Sequence, residues 1–188
     1  MWYGRLMTRM SNDNYPTPVA DASRIVKHLV DTFDIDPTAT TVLDPACGEG
    51  NLHRALLENG FLRGNLYGIE IDEALAEKNS HASYIQCSDA LREGWPKCGM
   101  IFMNPPYSHA MEFVERAMDD AKSHGTIVVA LLRLSFLGSQ KRAAFHQKYP
   151  AHVIVLKKRM KFVGNATDTT DHAVFVWDGI HRGTWEVL

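Results

Sequence analysis

At 188 residues, with 45% hydrophobic and 22% charged residues, the chain has the length and composition of one globular domain with its own core, which excludes a disordered or fibrous protein. A formal charge of −2 gives no global sign of nucleic-acid binding. The longest apolar run, "TIVVALL" at 126–132, is too short to span a bilayer, and the opening "MWYGRLMTRMSND" lacks the apolar stretch of a signal peptide, so a cytoplasmic protein with no membrane partner is expected.

In chain order, apolar runs that read as strands fall near 41–44 ("TVLD"), 66–70 ("LYGIE"), 84–87 ("YIQC"), 100–103 ("MIFM"), 126–132, 152–157 ("HVIVLK") and 172–177 ("HAVFVW"). Helix-like stretches alternate with them. Asp21 is expected to cap a helix reaching about Phe33, and a helix from Asn51 to Glu58 is expected to stop at Gly60. In "SHAMEFVERAMDDAKSHG", Met111, Val114, Ala117, Met118 and Ala121 share one helical face that packs on the sheet. The last two strands are joined by a polar loop, "FVGNATDTTD", and should pair as an antiparallel hairpin. The expected fold is α/β: a mostly parallel seven-stranded sheet with helices on both faces and a C-terminal antiparallel hairpin, formed by residues 1–188 as one domain. Cys47, Cys87 and Cys98 are scattered, and no His or Cys cluster has ligand spacing, so neither a disulfide framework nor a metal site is expected. "NAT" at 165–167, without a secretory signal, reads as a chance match to a glycosylation acceptor.

The first strand runs into "DPACGEGNLHRAL", residues 44–56, where Gly48 and Gly50 let the backbone turn sharply beside a ligand. A dinucleotide site is the first reading, with Glu70 placed to bind a ribose. Two details oppose it. The third glycine of that pattern is replaced by His53, so close packing of helix on strand is not provided for, and Asp44 and Glu49 bring negative charge where a pyrophosphate would sit. A cationic, phosphate-free ligand fits better, and S-adenosylmethionine is one. Asp44 would take its amino group, Glu70 its ribose hydroxyls and Asp89 its adenine amino group. The competing reading makes each acid a helix cap, a serious rival for Asp89, and offers Asp72 in place of Glu70.

The fourth strand ends in "NPPY". Pro105 and Pro106 have fixed φ and no N–H, so the turn is stiff and its carbonyls are free to meet a ligand. An amino group conjugated to an aromatic ring is a poor nucleophile. The Asn104 side-chain oxygen and the Pro105 carbonyl would each accept one of its hydrogens and localise its lone pair for attack on a sulfonium methyl, with Tyr107 supplying a flat ring beside it.

"DPACGEG", "GIEID", "SDAL" and "NPPY", in this order, resemble the motifs of class I S-adenosylmethionine-dependent methyltransferases, in particular the N6-adenine DNA methyltransferases of phage and restriction-modification type. The resemblance runs from about Tyr15 to Trp177. It implies a Rossmann-like catalytic domain that transfers a methyl group to N6 of adenine in DNA and releases S-adenosylhomocysteine, with no metal. It implies that Asp44, Pro45, Ala46, Gly48, Gly50, Glu70, Ile71, Asp89 and Ala90 bind the donor. Through "NYPTP" it adds Tyr15 and Thr17 near the methionine carboxylate. Asn104 meets donor and acceptor, Asn104, Pro105, Pro106 and Tyr107 form the catalytic turn, and Tyr107 holds the base with Phe162, which reads equally as a core residue, a duplex substrate requiring base flipping.

Unlike many members of that family, the sequence leaves no room after its last expected strand for a separate target-recognition domain. Discrimination would then come from loops such as 133–150 and 162–171 or from a partner subunit. Between Arg133 and Lys161 eight basic residues occur with no Asp or Glu, a block that reads either as a surface facing nucleic-acid phosphates or as a solvated face. "NPPY" also occurs in enzymes that methylate amino groups of ribosomal RNA and glutamine amides of release factors. RNA is therefore the main alternative acceptor, and a non-catalytic donor-binding subunit is a further one.

Overall fold

The computed structural model describes residues 15–160 and 170–188. Lys161 and Phe162, both given roles in the sequence analysis, lie outside the described residues. Eight strands form one sheet: β1 (Val42–Asp44), β2 (Leu66–Glu70), β3 (Tyr84–Cys87), β4 (Met100–Met103), β5 (Ile127–Arg133), β6 (His152–Val155), β7 (His172–Trp177) and β8 (Trp185–Val187). Their order is β3-β2-β1-β4-β5-β7-β6-β8. The first five are mutually parallel, and β7 runs antiparallel between β5 and β6. The expected seven strands and hairpin are present. The eighth was missed because "TWEV" is a very short apolar signal behind two turns, at Gly179 (φ 80°) and Gly183 (φ 68°). It lies parallel to β6 and is tied inward by Glu186, whose Oε1 accepts from His28 Nε2 at 2.7 Å and His152 Nε2 at 2.9 Å.

Alternate side chains of the strands enter two separate cores, the period-2 signature of a sheet covered on both faces. Val42, Met100, Phe102, Val129 and Leu131 pack under α1 (Val19–Thr32) and α2 (Asn51–Glu58). Leu43, Ile101, Met103, Val128 and Ala130 pack on the opposite face, with Phe113, Val114, Ala117 and Met118 of α4 (Ala110–His124). Each fully buried Val, Leu, Ile, Phe or Met among them stabilises the fold by about 1.5–3 kcal/mol relative to exposure. Helix α1 begins at Val19 rather than at an Asp21 cap: Pro18 pre-sets φ at −59°, and Asp21 falls inside the first turn without capping. Asp72 instead caps α3 (Glu73–Lys78), its Oδ1 accepting from Ala74 N and Leu75 N. Ser139 caps α5 (Gln140–Lys148), accepting from Lys141 N at 3.2 Å.

The expectation that His53 denies close packing of helix on strand is corrected by the structure. The missing glycine is supplied from the other side, by Gly68 of β2. A Cβ there would come within 2.6 Å of Cys47 Sγ, 2.7 Å of Ile85 Cδ1 and 2.9 Å of His53 Cε1. His53 is fully buried and its pKa is pushed down to about 4 by that burial. The ring is neutral: Nε2–H donates to the Tyr67 carbonyl at 3.0 Å, and Nδ1 accepts from Asn79 Nδ2 at 3.0 Å.

Gly68→Ala is therefore expected to destabilise the protein by roughly 1–3 kcal/mol through overpacking, read as a lower denaturant midpoint at unchanged slope. An unchanged midpoint would show that α2 can step back from β2 at no cost.

Candidate active site

Asp44 and Glu70 are the last residues of β1 and β2. Ser88 and Asp89 follow β3, Asn104 follows β4, and Arg133 ends β5. All stand at the carboxyl edge of the parallel strands. The winding direction of the sheet reverses between β1 and β4, and such a reversal opens the crevice in which open α/β sheets bind ligands. A cavity of about 620 Å³ lies there.

The turn after β1 is built around two carboxylates. Asp44 Oδ1 accepts from Ala46 N at 3.1 Å. Glu70 bridges two backbones, Oε2 accepting from Gly48 N at 2.7 Å and Oε1 from Asp72 N at 2.9 Å. Gly48 and Gly50 both have positive φ, 50° and 88°. Asp44 is only 1% exposed. Burial raises its pKa to about 8, partly offset by the Ala46 N–H and reinforced by the charge of Glu70. A carboxyl group so placed favours a cationic neighbour.

After β4, the Asn104 side-chain amide donates to the Tyr15 carbonyl and to Thr17 Oγ1, each at 3.0 Å. Thr17 is 2% exposed, and its own carbonyl accepts from Asn51 Nδ2, at the start of α2, at 2.9 Å. With both amide hydrogens engaged, Oδ1 is the remaining hydrogen-bonding group of that side chain, at the cavity wall. The Tyr107 ring lies 5.3 Å from that of Tyr15 at an interplanar angle of 23°. The Arg133 guanidinium carbon stands 4.1 Å from its centroid.

The structure brings most of the sequence-selected residues to this one cavity: Tyr15 and Thr17; Asp44, Pro45, Ala46 and Gly48; Glu70 and Ile71; Asp89 and Ala90; and Asn104, Pro105, Pro106 and Tyr107. Gly50 is different. It sits behind the wall, where the Asn79 side chain fills the space a Cβ would need, 2.1 Å from Asn79 Oδ1. Its φ of 88° at the start of α2 and the Asn79 side chain behind it give the position a packing reason to be glycine. Asp89 does not cap a helix; it closes a turn, Oδ1 accepting from Leu91 N at 3.0 Å, and pairs with Arg92 at 3.2 Å.

Sequence reasoning passed over Asn51, Ser88 and His172, and treated Arg133 only as one of a basic block. Arg133 carried the same signal as Asp44 and Glu70, a charged residue closing an apolar strand. Ser88 Oγ, at the cavity wall, is buried without a hydrogen-bond partner among the described residues, a polar atom suited to meeting a ligand. Among the described residues no group of three or more His, Cys, Asp or Glu could hold a metal ion, and no helix is long and apolar enough to cross a membrane.

Fold and site together define the class, a class I S-adenosylmethionine-dependent methyltransferase. A model of the DNA N-6-adenine-methyltransferase (Dam) family matches residues 63–175, more than half of the sequence. The chain belongs to that family. The match begins after the glycine turn at 44–50, so that turn is independent of it. Solved structures agree in fold at low identity. A class I S-adenosylmethionine-dependent methyltransferase, so described, from Listeria monocytogenes superposes with a TM-score of 0.70 at 15% identity, covering 97% of this chain and 68% of that one. A modification subunit assigned to a type I restriction enzyme of Vibrio vulnificus gives 0.65 at 16% identity, covering 93% of this chain. The chain spans 47% of that subunit's length. A protein described as an RNA methyltransferase from Pyrococcus horikoshii gives 0.68 at 14% identity, with 91% and 89% covered. No curated protein matches in sequence.

Because the folded-state pKa of Asp44 lies above its unfolded value of 3.8, its contribution to stability is fully present below pH 4 and is lost as pH rises through about 8. Asp44→Asn keeps the acceptor for Ala46 N and removes that loss. Without donor, the variant is expected to be more stable than the parent by roughly 2–4 kcal/mol at pH 8, with the two curves converging near pH 4. A variant less stable at pH 8 would contradict the burial argument.

Proposed function

We propose that the protein transfers the methyl group of S-adenosylmethionine to N6 of adenine in DNA. The observation that carries this reading is the Asn104 amide, both of whose hydrogens are taken by Tyr15 and Thr17. The carbonyl oxygen of that amide is thereby left as a fixed acceptor beside the stiff Pro105–Pro106 turn. In this reading Asn104 Oδ1 and the Pro105 carbonyl accept the two hydrogens of the adenine amino group, and they stabilise the positive charge that develops on nitrogen as it is alkylated. Tyr107 stacks on the base, which a duplex must extrude.

The donor side fits the same ligand. Asp44 pairs with its ammonium group and ionises as it does so, Glu70 accepts from the ribose hydroxyls, and Asp89, with Ser88 Oγ, which has no hydrogen-bond partner among the described residues, takes the adenine end. When bound, S-adenosylmethionine supplies an electrophilic methyl carbon on a sulfonium. The residues of this chain hold and orient the two partners.

Charge along the sheet edge supports a nucleic-acid acceptor. Asp44, Glu70 and Asp89 lie on the β3-β2-β1 side, whereas Arg133, Lys157 and Lys158 follow β5 and β6 on the other, with Asn104 between. The basic block is thinner than its sequence suggests. Arg142 donates to the carbonyls of Phe136, Ser135 and Gly138, and Arg159 pairs with Asp171 at 2.8 Å. Exposed Lys141, Lys157 and Lys158 are left as the better phosphate contacts. Sequence discrimination is then the task of loops on this side or of a partner subunit, the chain acting as one catalytic unit.

The test is transfer of labelled methyl from the donor into DNA, RNA and protein offered in parallel, with hydrolysis of the product. N6-methyladenine in DNA is expected; label confined to RNA or protein would overturn the DNA reading. Asn104→Ala is expected to lower turnover by about 100-fold or more while donor Kd, read by calorimetry, stays within about threefold. Asp44→Ala should first weaken donor binding, by about tenfold or more. The reverse pattern would mean that the two roles are misassigned.

A further inference from the structure

We propose that His172 is a positioning residue of the acceptor site, acting through the hydroxyl of Tyr107. The inference rests on the reading of Tyr107 as the ring against which the target adenine stacks. His172 opens β7, is 1% exposed, and is the cross-strand partner of Arg133 in the β5–β7 ladder. Its Nδ1 lies 3.1 Å from the Thr170 carbonyl oxygen. A carbonyl only accepts, so in the neutral ring Nδ1 carries the hydrogen and Nε2 the lone pair. Tyr107 Oη, 3.0 Å from Nε2, is therefore the donor.

Tyr107 is thus held at three levels. Pro105 and Pro106 stiffen the backbone at its root. The Arg133 guanidinium, 4.1 Å from the ring centroid, and the Tyr15 ring, stacked at 5.3 Å, limit the tilt of its plane. His172 fixes its tip. One cross-strand pair, Arg133 and His172, supplies a contact to the face and a contact to the hydroxyl, so the register of β5 on β7 is carried directly into the position of the ring. A base that stacks on Tyr107 must displace Tyr15 or Arg133 from the ring, and it then inherits the position that the prolines and His172 fix. The amino nitrogen must reach Asn104 with sub-ångström accuracy, and a displacement of about 1 Å can cost about 100-fold in rate.

The experiment is a double-mutant cycle on the full chain, with Tyr107→Phe, His172→Leu and the two combined. Single-turnover methylation of mixed-sequence unmethylated DNA is followed at saturating donor, and donor Kd is measured by calorimetry. Each single variant is expected to lose about ten- to 100-fold in rate, with donor Kd within about threefold. The combined variant should be no slower than the slower single one, because both remove the same bond. His172→Gln, which retains an acceptor, should recover part of the loss when Tyr107 is present and none when it is Phe. Losses that multiply in the combined variant overturn the inference. Since a buried His→Leu change risks unfolding, Tyr107→Phe also stands alone as a test, and full rate in that variant overturns the inference equally. If the unaltered protein leaves DNA unmethylated, the adenine reading and this inference fall together; methylated DNA with multiplying losses removes this inference alone.

Discussion

The structure depends on how one amide is oriented. A side-chain amide can present either its oxygen or its nitrogen to a ligand, and the two ends have opposite hydrogen-bonding character. At Asn104 the choice is made by residues 89 and 87 positions away in the chain, the Tyr15 carbonyl and the Thr17 hydroxyl. Thr17 is in turn held through Asn51, the first residue of α2, immediately after the glycine turn that begins at Asp44. Hydrogen bonds made by Thr17 therefore link the start of α2, next to the glycine turn, to the Asn104 amide. The orientation of the Asn104 amide thus depends on the docking of the segment at 15–17 and on where α2 starts.

A second constraint is electrostatic. Placing Asp44 and Glu70 at the ends of adjacent strands, with Asp44 buried, leaves a carboxyl group that ionises only near pH 8, at a cost to folding across the neutral range. Such a cost is tolerable where a ligand brings positive charge, and the carboxylates Asp44, Glu70 and Asp89 lie over β3-β2-β1 while Arg133, Lys157 and Lys158 lie over β5-β7-β6. Asn104 stands at the boundary, where the sheet also reverses its winding. Topology and charge thus define one place at which a cation and a polyanion can meet.

Much of this was legible in the sequence because the signals were local. Strands β1 to β7 were marked by apolar runs, and the polar residues that close or follow three of them, Asp44, Glu70 and Asn104, marked the carboxyl edge of the sheet. Local signals also misled. His53 seemed to forbid close packing because the compensating glycine, Gly68, lies on a different strand, and no spacing rule links a helix residue to a gap 15 positions later. Asp21 looked like a cap, but Pro18 starts the helix. The basic block lost Arg142 to carbonyl groups and Arg159 to Asp171, pairings that only tertiary structure creates. The roles of Asn51, His172 and the Tyr15 carbonyl were invisible for the same reason: each depends on a contact between distant segments.

The central claim is that Asn104 presents its oxygen, and not its nitrogen, to the acceptor. A crystal structure with an unreactive donor analogue and a DNA duplex containing the target adenine measures this directly. The account predicts the adenine N6 at about 2.7–3.2 Å from both Asn104 Oδ1 and the Pro105 carbonyl oxygen, with Asn104 Nδ2 still bonded to Tyr15 and Thr17. An amide turned the other way, or N6 more than about 4 Å from that oxygen, would contradict it.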